Sequence, residues 1–263
     1  MNDARPRALV TGASAGIGKS YAEHLARTGH DLVLVARRAD RLETLAAELR
    51  EATQAEVEVL PADLGTDDGV DAVTARIDKG DTAFLVNNAG YAARGKVTEL
   101  DTQALAAMLS VNIVALSKLS ASAMRSMTAL RRGTIVNLCS GTVFMRLPGN
   151  AGYGASKNYV MAFTRHMQAE AAGTGVRVQL LVPGVIATDF HEIAGNSLDN
   201  FPPERVMQPD DLVVASLRAL EMEEPVCIPS LPDIRNWDNY VAAEALVAKD
   251  SSHDRPAPRY HGA

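Results

Sequence analysis

The sequence predicts an α/β domain, a doubly wound parallel sheet of about seven strands with helices on both faces. Two observations carry that expectation. Short apolar runs alternate with amphipathic stretches along the chain, and such alternation builds a parallel sheet covered on both sides. The first run also leads into a glycine-rich turn and a helical pattern, which together open a βαβ unit. Strands are expected near 7–11, 31–36, 57–60, 83–87, 134–139, 176–182 and 225–228, with helices between them and long ones near 103–130 and 152–172. No repeat, low-complexity segment or linker divides the chain, so residues 1–263 read as one domain.

The first strand is followed by Thr11-Gly12-Ala13-Ser14-Ala15-Gly16-Ile17-Gly18. Strand, glycine turn and helix opening are the parts of a pyrophosphate site, because the first backbone N–H groups of a helix point at an anion. Gly12 permits the tight turn, Gly16 lets the backbone approach the phosphates, and Gly18 packs helix on sheet. The spacing is Gly-x-x-x-Gly-x-Gly, not the commoner Gly-x-Gly-x-x-Gly.

The second strand would end in an acid if a ribose 2′-hydroxyl were to be held there. Here it ends in Ala36-Arg37-Arg38. Two guanidinium groups with no carboxylate suit a 2′-phosphate, and Ser14 adds a hydroxyl. NADP(H) is therefore expected over NAD(H).

Of the six tyrosines, only Tyr153 is followed four positions later by a lysine, Lys157, and Ser140 lies thirteen residues upstream of it. On a helix, positions i and i+4 sit roughly 5–6 Å apart at Cβ. An ammonium there favours phenolate over phenol and so lowers the tyrosine pKa. Such a tyrosine can exchange a proton with a substrate oxygen.

In order and spacing these motifs resemble those of the short-chain dehydrogenase/reductase family, in its compact, single-domain, NADP-preferring form. The match runs from Arg7 to about Pro229. The turn Thr11–Gly18, Ile17 included, is similar to the family's cofactor turn. Asp63-Leu64 resembles the pair that faces the adenine, and Asn87-Asn88-Ala89-Gly90 the signature that closes the fourth strand. Pro183-Gly184-Val185-Ile186-Ala187-Thr188 is similar to the segment that touches the nicotinamide carboxamide.

The resemblance implies a Rossmann-type fold and a catalytic set of Asn112, Ser140, Tyr153 and Lys157. Tyr153 would be the acid in reduction and the base in oxidation. Lys157 would tune it and hold the nicotinamide ribose, and Ser140 would hydrogen-bond the substrate oxygen. Asn112 would keep a helix kink and a water. A homodimer or homotetramer is implied as well.

Composition narrows the partners. The net charge of −6 argues against nucleic acid, which needs a basic face. No apolar run approaches the roughly 20 residues that span a bilayer, and a first strand within ten residues leaves no room for a secretory signal. A cytoplasmic protein is expected, with Cys139 and Cys227 as reduced core thiols. No metal-ligand spacing joins the six histidines, and His191 reads as a solvated loop residue.

Substrate specificity falls on 142–148 and on a lid at 189–208. Phe144, Met145, Leu147, Phe190 and Met207 would line an apolar pocket for a small hydrophobic carbonyl or alcohol. A 3-oxoacyl thioester reductase is the leading alternative. It needs a basic patch at the pocket mouth, for which Arg94, Lys96 and Arg146 are candidates. A non-catalytic NADP(H)-binding regulator fits less well, since binding alone does not need the catalytic set. Beyond residue 229, a further helix is expected over 236–248 and then a polar, flexible tail over 249–263.

Overall fold

Alternation of side chains along each strand decides which of two cores a residue joins. In the computed structural model, which describes residues 5–261, the strands are β1 (Arg7–Thr11), β2 (Asp31–Ala36), β3 (Val57–Pro61), β4 (Thr82–Asn87), β5 (Gly133–Leu138), β6 (Val176–Leu181), β7 (Val185–Ile186), β8 (Val206–Met207) and β9 (Val226–Cys227). Among the described residues, seven of them form one sheet in the order β3-β2-β1-β4-β5-β6-β9. Every pair in it is parallel. The remaining two, β7 and β8, pair with each other at the two ends of the expected lid.

Two cores follow from this sheet. Ala8, Val10, Leu32, Leu34, Val86 and Val136 face one side, while Leu9, Val33, Val35, Leu85 and Ile135 face the other. The helices are α1 (Gly16–Arg27), α2 (Ala39–Thr53), α3 (Asp67–Ile77), α4 (Thr102–Leu109), α5 (Leu116–Leu130), α6 (Ala151–Ala171), α7 (Phe190–Ile193), α8 (Pro209–Glu221) and α9 (Arg235–Lys249). The apolar stripes of α1, α2 and α8 cover the first side through Leu25, Leu45 and Leu212. Those of α3, α5 and α6 cover the second through Val73, Leu119 and Met167. At the amino ends of the strands, Arg76 is buried between Glu58 at 2.8 Å and Asp81 at 2.6 Å, and Arg7 also reaches Asp81 at 2.7 Å. These ion pairs staple β1, β3 and α3 at the end away from the glycine turn.

The expected helix near 103–130 is continuous but not uniform. Asp101 caps its start by accepting from the N–H groups of Gln103 and Ala104, and between α4 and α5 the residues Ser110–Ala115 make a π-helical turn. Against the expectation, the whole span Thr102–Leu130 is long and apolar enough to cross a membrane by length and composition. Its polar residues are spread among apolar ones, so averaging conceals them. Leu119, Ala123 and Met127 are spent on the second core, and Leu116 is buried as well.

Both cysteines are buried free thiols. Burial pushes Cys139 up to about 11 and Cys227 up to about 12. The chain divides into a large unit that ends at Pro229 and a small one that begins at Ser230. In the small unit, Trp237 and Tyr240 stack on α9 with ring centroids 5.4 Å apart. Its tail carries one 3-10 turn, Pro258–Tyr260. Gly262 and Ala263, the end of the expected tail, lie outside the described residues.

Candidate active site

The strand order reverses between β1 and β4, and in open α/β sheets the crevice at such a point takes the ligand. One hydroxyl ties its two walls together. Thr11 Oγ1 donates to Val86 O at 3.1 Å and accepts from the N–H groups of Asn88 and Ala89, both at 3.0 Å. Asn88 returns its side-chain amide to Thr11 O at 2.8 Å. Asn88 therefore holds the glycine turn in place, and Ala89 packs on the second core.

That turn is a cradle that side chains would fill. Gly12 and Gly16 have φ of 67° and 52°, the left-handed region that glycine tolerates. A Cβ on Gly16 would meet Thr188 Cγ2 at 2.8 Å, and one on Gly18 would collide with Gly12 O. Ala15, at the N-cap of α1, offers no side-chain cap, so the first N–H groups of the helix stay open for an anion. Ile17 turns its side chain to the first core and leaves only backbone at the turn.

Arg38 Nη2 donates to Ser14 Oγ at 3.0 Å, which brings the guanidinium of β2's end onto the glycine turn. Beside this contact a cleft of about 360 Å³ runs from Ser14 and Ala15 past Lys19 to Arg41 and Thr44. Arg37 is exposed, and its charge, with that of Asp63, acts on Tyr91. Asp63 Oδ1 accepts from Gly65 N at 2.9 Å, whereas Leu64 is buried in the second core. These residues fit a dinucleotide with a phosphate on its adenosine ribose: an open helix start, a glycine cradle and a basic, hydroxyl-bearing end.

The second half of the crevice holds Asn112, Ser140, Tyr153 and Lys157. Tyr153 and Lys157 share one face of α6, one turn apart. Lys157 is buried, and Nζ lies 5.9 Å from the Tyr153 ring centroid. It donates to Leu138 O at 2.9 Å, which leaves further N–H donors of a buried ammonium for a ligand. A Cβ on Gly90 would lie 3.7 Å from that Nζ and 2.9 Å from Asn112 Oδ1, so glycine keeps the space between them open.

Ser140 caps the 3-10 turn Gly141–Phe144 and accepts from Thr142 N at 3.3 Å and Thr142 Oγ1 at 3.1 Å. Gly141 N donates to Pro183 O at 2.8 Å, which joins the Ser140 turn to Pro183-Gly184. Ile186 is buried in the first core, and Thr188 lies over Gly16.

Charge tuning runs opposite to the expectation. Burial pushes the Tyr153 phenol up to about 12, while its hydrogen bond with Ser140 and the charge of Arg94 pull less strongly the other way. Burial also holds Lys157 below the usual ammonium range. With both groups out of water, desolvation outweighs the pull that the i, i+4 spacing suggested.

Asn112 sits in the π-helical turn, a common device at functional sites. Its side chain works mainly on backbone. Oδ1 accepts from Tyr91 N at 3.1 Å, and Nδ2 donates to Tyr91 O at 2.9 Å and to Ser156 Oγ at 3.2 Å. Ser156 in turn donates to Tyr153 O at 2.8 Å. Asn112→Ala leaves these buried groups without partners, at a cost of about 1–3 kcal/mol. The melting temperature of the ligand-free protein should drop by several degrees, and an unchanged value would show that Asn112 does not pin the Tyr91 loop.

Below the set lies a polar cluster of which sequence reading singled out Asn87 alone. Asn87 Nδ2 donates to Ser120 Oγ and to Asn137 Oδ1, both at 2.9 Å. Asn137 Nδ2 donates to Thr164 Oγ1 at 3.1 Å. Four elements, β4, α5, β5 and α6, are thereby locked beneath this half of the crevice. Polar residues inside otherwise apolar runs were the available signal.

Tyr153 also joins Ala92, Met108 and Ala194 in a small apolar cluster, with Leu105 and Phe190 against it. Of the expected pocket residues, Phe190 lies there, 5.8 Å from the Tyr153 ring. Phe144, Met145 and Leu147 are exposed. Met207 is half-buried, and pairing of β8 with β7 packs it against the first core.

His191 needs the other correction. It is buried, not solvated, because α7 folds its ring between Phe190 at 5.7 Å and Phe201 at 5.3 Å. Burial, helped by Arg94, holds it below the usual histidine range, and its Nδ1 has no hydrogen-bond partner among the described residues.

Comparison with known proteins places the fold in a family. A family model described as short chain dehydrogenase matches residues 6–197, and the chain belongs to the short-chain dehydrogenase/reductase family of oxidoreductases. It is similar to a short-chain dehydrogenase from Sphingobium yanoikuyae solved in complex with NADPH, at 35% identity, over 97% of this chain and 100% of that one, with a TM-score of 0.94. It is similar also to the bulky-bulky ketone specific alcohol dehydrogenase from Comamonas testosteroni, at 31% identity, over 98% of this chain and 100% of that one, with a TM-score of 0.90. The human very-long-chain 3-oxoacyl-CoA reductase is 31% identical over 201 residues, 75% of this chain. The match spans 64% of that reductase's length.

Proposed function

We propose that this chain is an NADP(H)-dependent oxidoreductase that interconverts a hydrophobic ketone or aldehyde and its alcohol, in the cytoplasm, as a homodimer or homotetramer. One observation carries the reading: Ser140, Tyr153 and Lys157 meet in the crevice whose other end joins Arg38 to Ser14. When bound, NADP(H) supplies or accepts the hydride.

This chain's residues do the rest. Tyr153 gives its proton to the carbonyl oxygen in reduction and takes it back in oxidation. Ser140 hydrogen-bonds the same oxygen as negative charge grows on it. Lys157 offers its spare N–H donors to the ribose and keeps positive charge near the phenol. The apolar cluster around Tyr153 receives the body of the substrate. The NADP preference tilts the direction toward reduction.

The solved relatives with NADPH and with bulky-ketone specificity support this reading. The human relative favours a second one, reduction of a 3-oxoacyl thioester by the same groups. Ligand-induced stabilisation tests the cofactor. NADPH at 100 times its Kd should stabilise the protein by about 2.7 kcal/mol, and NADH at the same concentration by much less. Equal stabilisation by NADH would overturn the NADP(H) assignment.

A further inference from the structure

Of the three basic residues expected at the pocket mouth, Arg94, Lys96 and Arg146, two are already engaged. Lys96 pairs with Glu99 at 3.6 Å. Arg146 donates to Val143 O and Met145 O, carbonyls of its own loop. Arg94 makes no hydrogen bond or ion pair with any of the described residues.

Its backbone is nonetheless fixed on both sides. Ala93 N donates to Met108 Sδ at 3.1 Å, and Met108 belongs to the apolar cluster of Tyr153. Gly95 N donates to Gly149 O at 3.0 Å, just before α6 opens with Tyr153 in its first turn. Arg94 is thus anchored at the rim of the substrate cluster between two hydrogen bonds, with an uncommitted guanidinium.

Arg94 is exposed at this rim, and its charge still reaches the groups behind it. Its charge acts on both Tyr153 and His191, so it stands close to the reacting phenol and to the lid. His191, buried in that lid, is held by a backbone hydrogen bond with Ile186, so its ring is fixed beside the rim. A cation held beside an apolar cluster, with no protein carboxylate on it, suits a ligand that brings its own oxyanion.

We propose that Arg94 receives an oxyanion, carboxylate or phosphate, on the substrate, so that the preferred substrate is an apolar ketone with an anionic end. This deepens the reading of the site as a carbonyl reductase and rests on it. The two sources of the anion separate by experiment. One pair of substrates is 5-oxo-5-phenylpentanoate and its methyl ester. The other is acetoacetyl-phosphopantetheine and the acetoacetyl thioester of N-acetylcysteamine, which lacks the phosphate.

With NADPH present, wild type should prefer the anionic member of at least one pair by roughly 10–100-fold in kcat/KM, the range of a charge-assisted hydrogen bond. The pair that discriminates names the anion. In Arg94→Gln that ratio should collapse toward one, and Arg94→Lys should restore part of it. A ratio near one in wild type for both pairs, or a ratio that survives Arg94→Gln, would overturn the proposal.

Thermal stabilisation of the NADPH-saturated protein by each of the four compounds gives the same comparison without turnover. Absence of turnover on all four, with anion-selective stabilisation that Arg94→Gln abolishes, would sink the reductase reading and keep the anion site.

Discussion

Tyr153→Phe should lower turnover by about 10²–10⁴-fold, the usual contribution of a positioned acid or base, while NADPH still stabilises the protein. The substitution removes one hydroxyl and keeps the ring. That ring holds the apolar contacts with Phe190 and the cluster around Met108, so the fold should survive. A regulator that only binds cofactor predicts no loss, and full activity in Tyr153→Phe would end the enzymatic reading of this residue. The pH profile checks the same group independently. Burial pushes the phenol up to about 12 in the ligand-free protein. It is therefore protonated through neutral pH, ready to act as an acid. Reduction should stay level as pH rises through the neutral range and fall only when the phenol deprotonates. Oxidation, which needs the phenolate, should climb with pH instead. A reduction rate that fell between pH 6 and about 8 would mean that a group of lower pKa controls it.

Much of the fold was legible because a parallel sheet buried on both faces demands apolar runs. Asp31-Leu-Val-Leu-Val-Ala36 can hardly be anything else, and its residues divide between the two cores as alternation requires. Turn chemistry was equally readable, since Gly12 and Gly16 occupy backbone conformations that few other residues tolerate. Legibility failed where position depends on how a loop closes. Met207 reads as a pocket residue, and nothing in its spacing foretells the short β7–β8 pair that packs it against the first core. His191 reads as solvated until Phe201, ten residues on, packs against it. Nor could spacing alone give the sign of the Tyr153 shift, because the i, i+4 rule states proximity and says nothing of desolvation. Arg94 was visible as a basic residue. That it stays free while Lys96 and Arg146 are engaged was not, because that depends on which carbonyls and carboxylates the loops bring near.

Replacing Arg37 and Arg38 together by alanine should weaken NADPH on the order of 10–100-fold or more, at about 1.5–3 kcal/mol for each charge-assisted hydrogen bond lost, and leave NADH nearly unchanged. The two arginines should not contribute equally. Arg38 already touches Ser14 of the glycine turn, so its guanidinium is placed before the ligand arrives. Less ordering entropy is then lost on binding, which favours a preorganised contact. Arg37 is exposed and acts on Tyr91 through its charge. Arg38→Ala alone should therefore cause most of the loss, Arg37→Ala less, and Ser14→Ala an intermediate loss through release of Arg38. Titration of each variant with NADPH and NADH separates these effects from general damage to the crevice. Damage at the pyrophosphate or nicotinamide end would weaken both cofactors together, whereas loss of a phosphate clamp weakens only the one that carries the phosphate. Parallel weakening of NADPH and NADH would show that the arginines shape the turn and do not select the cofactor.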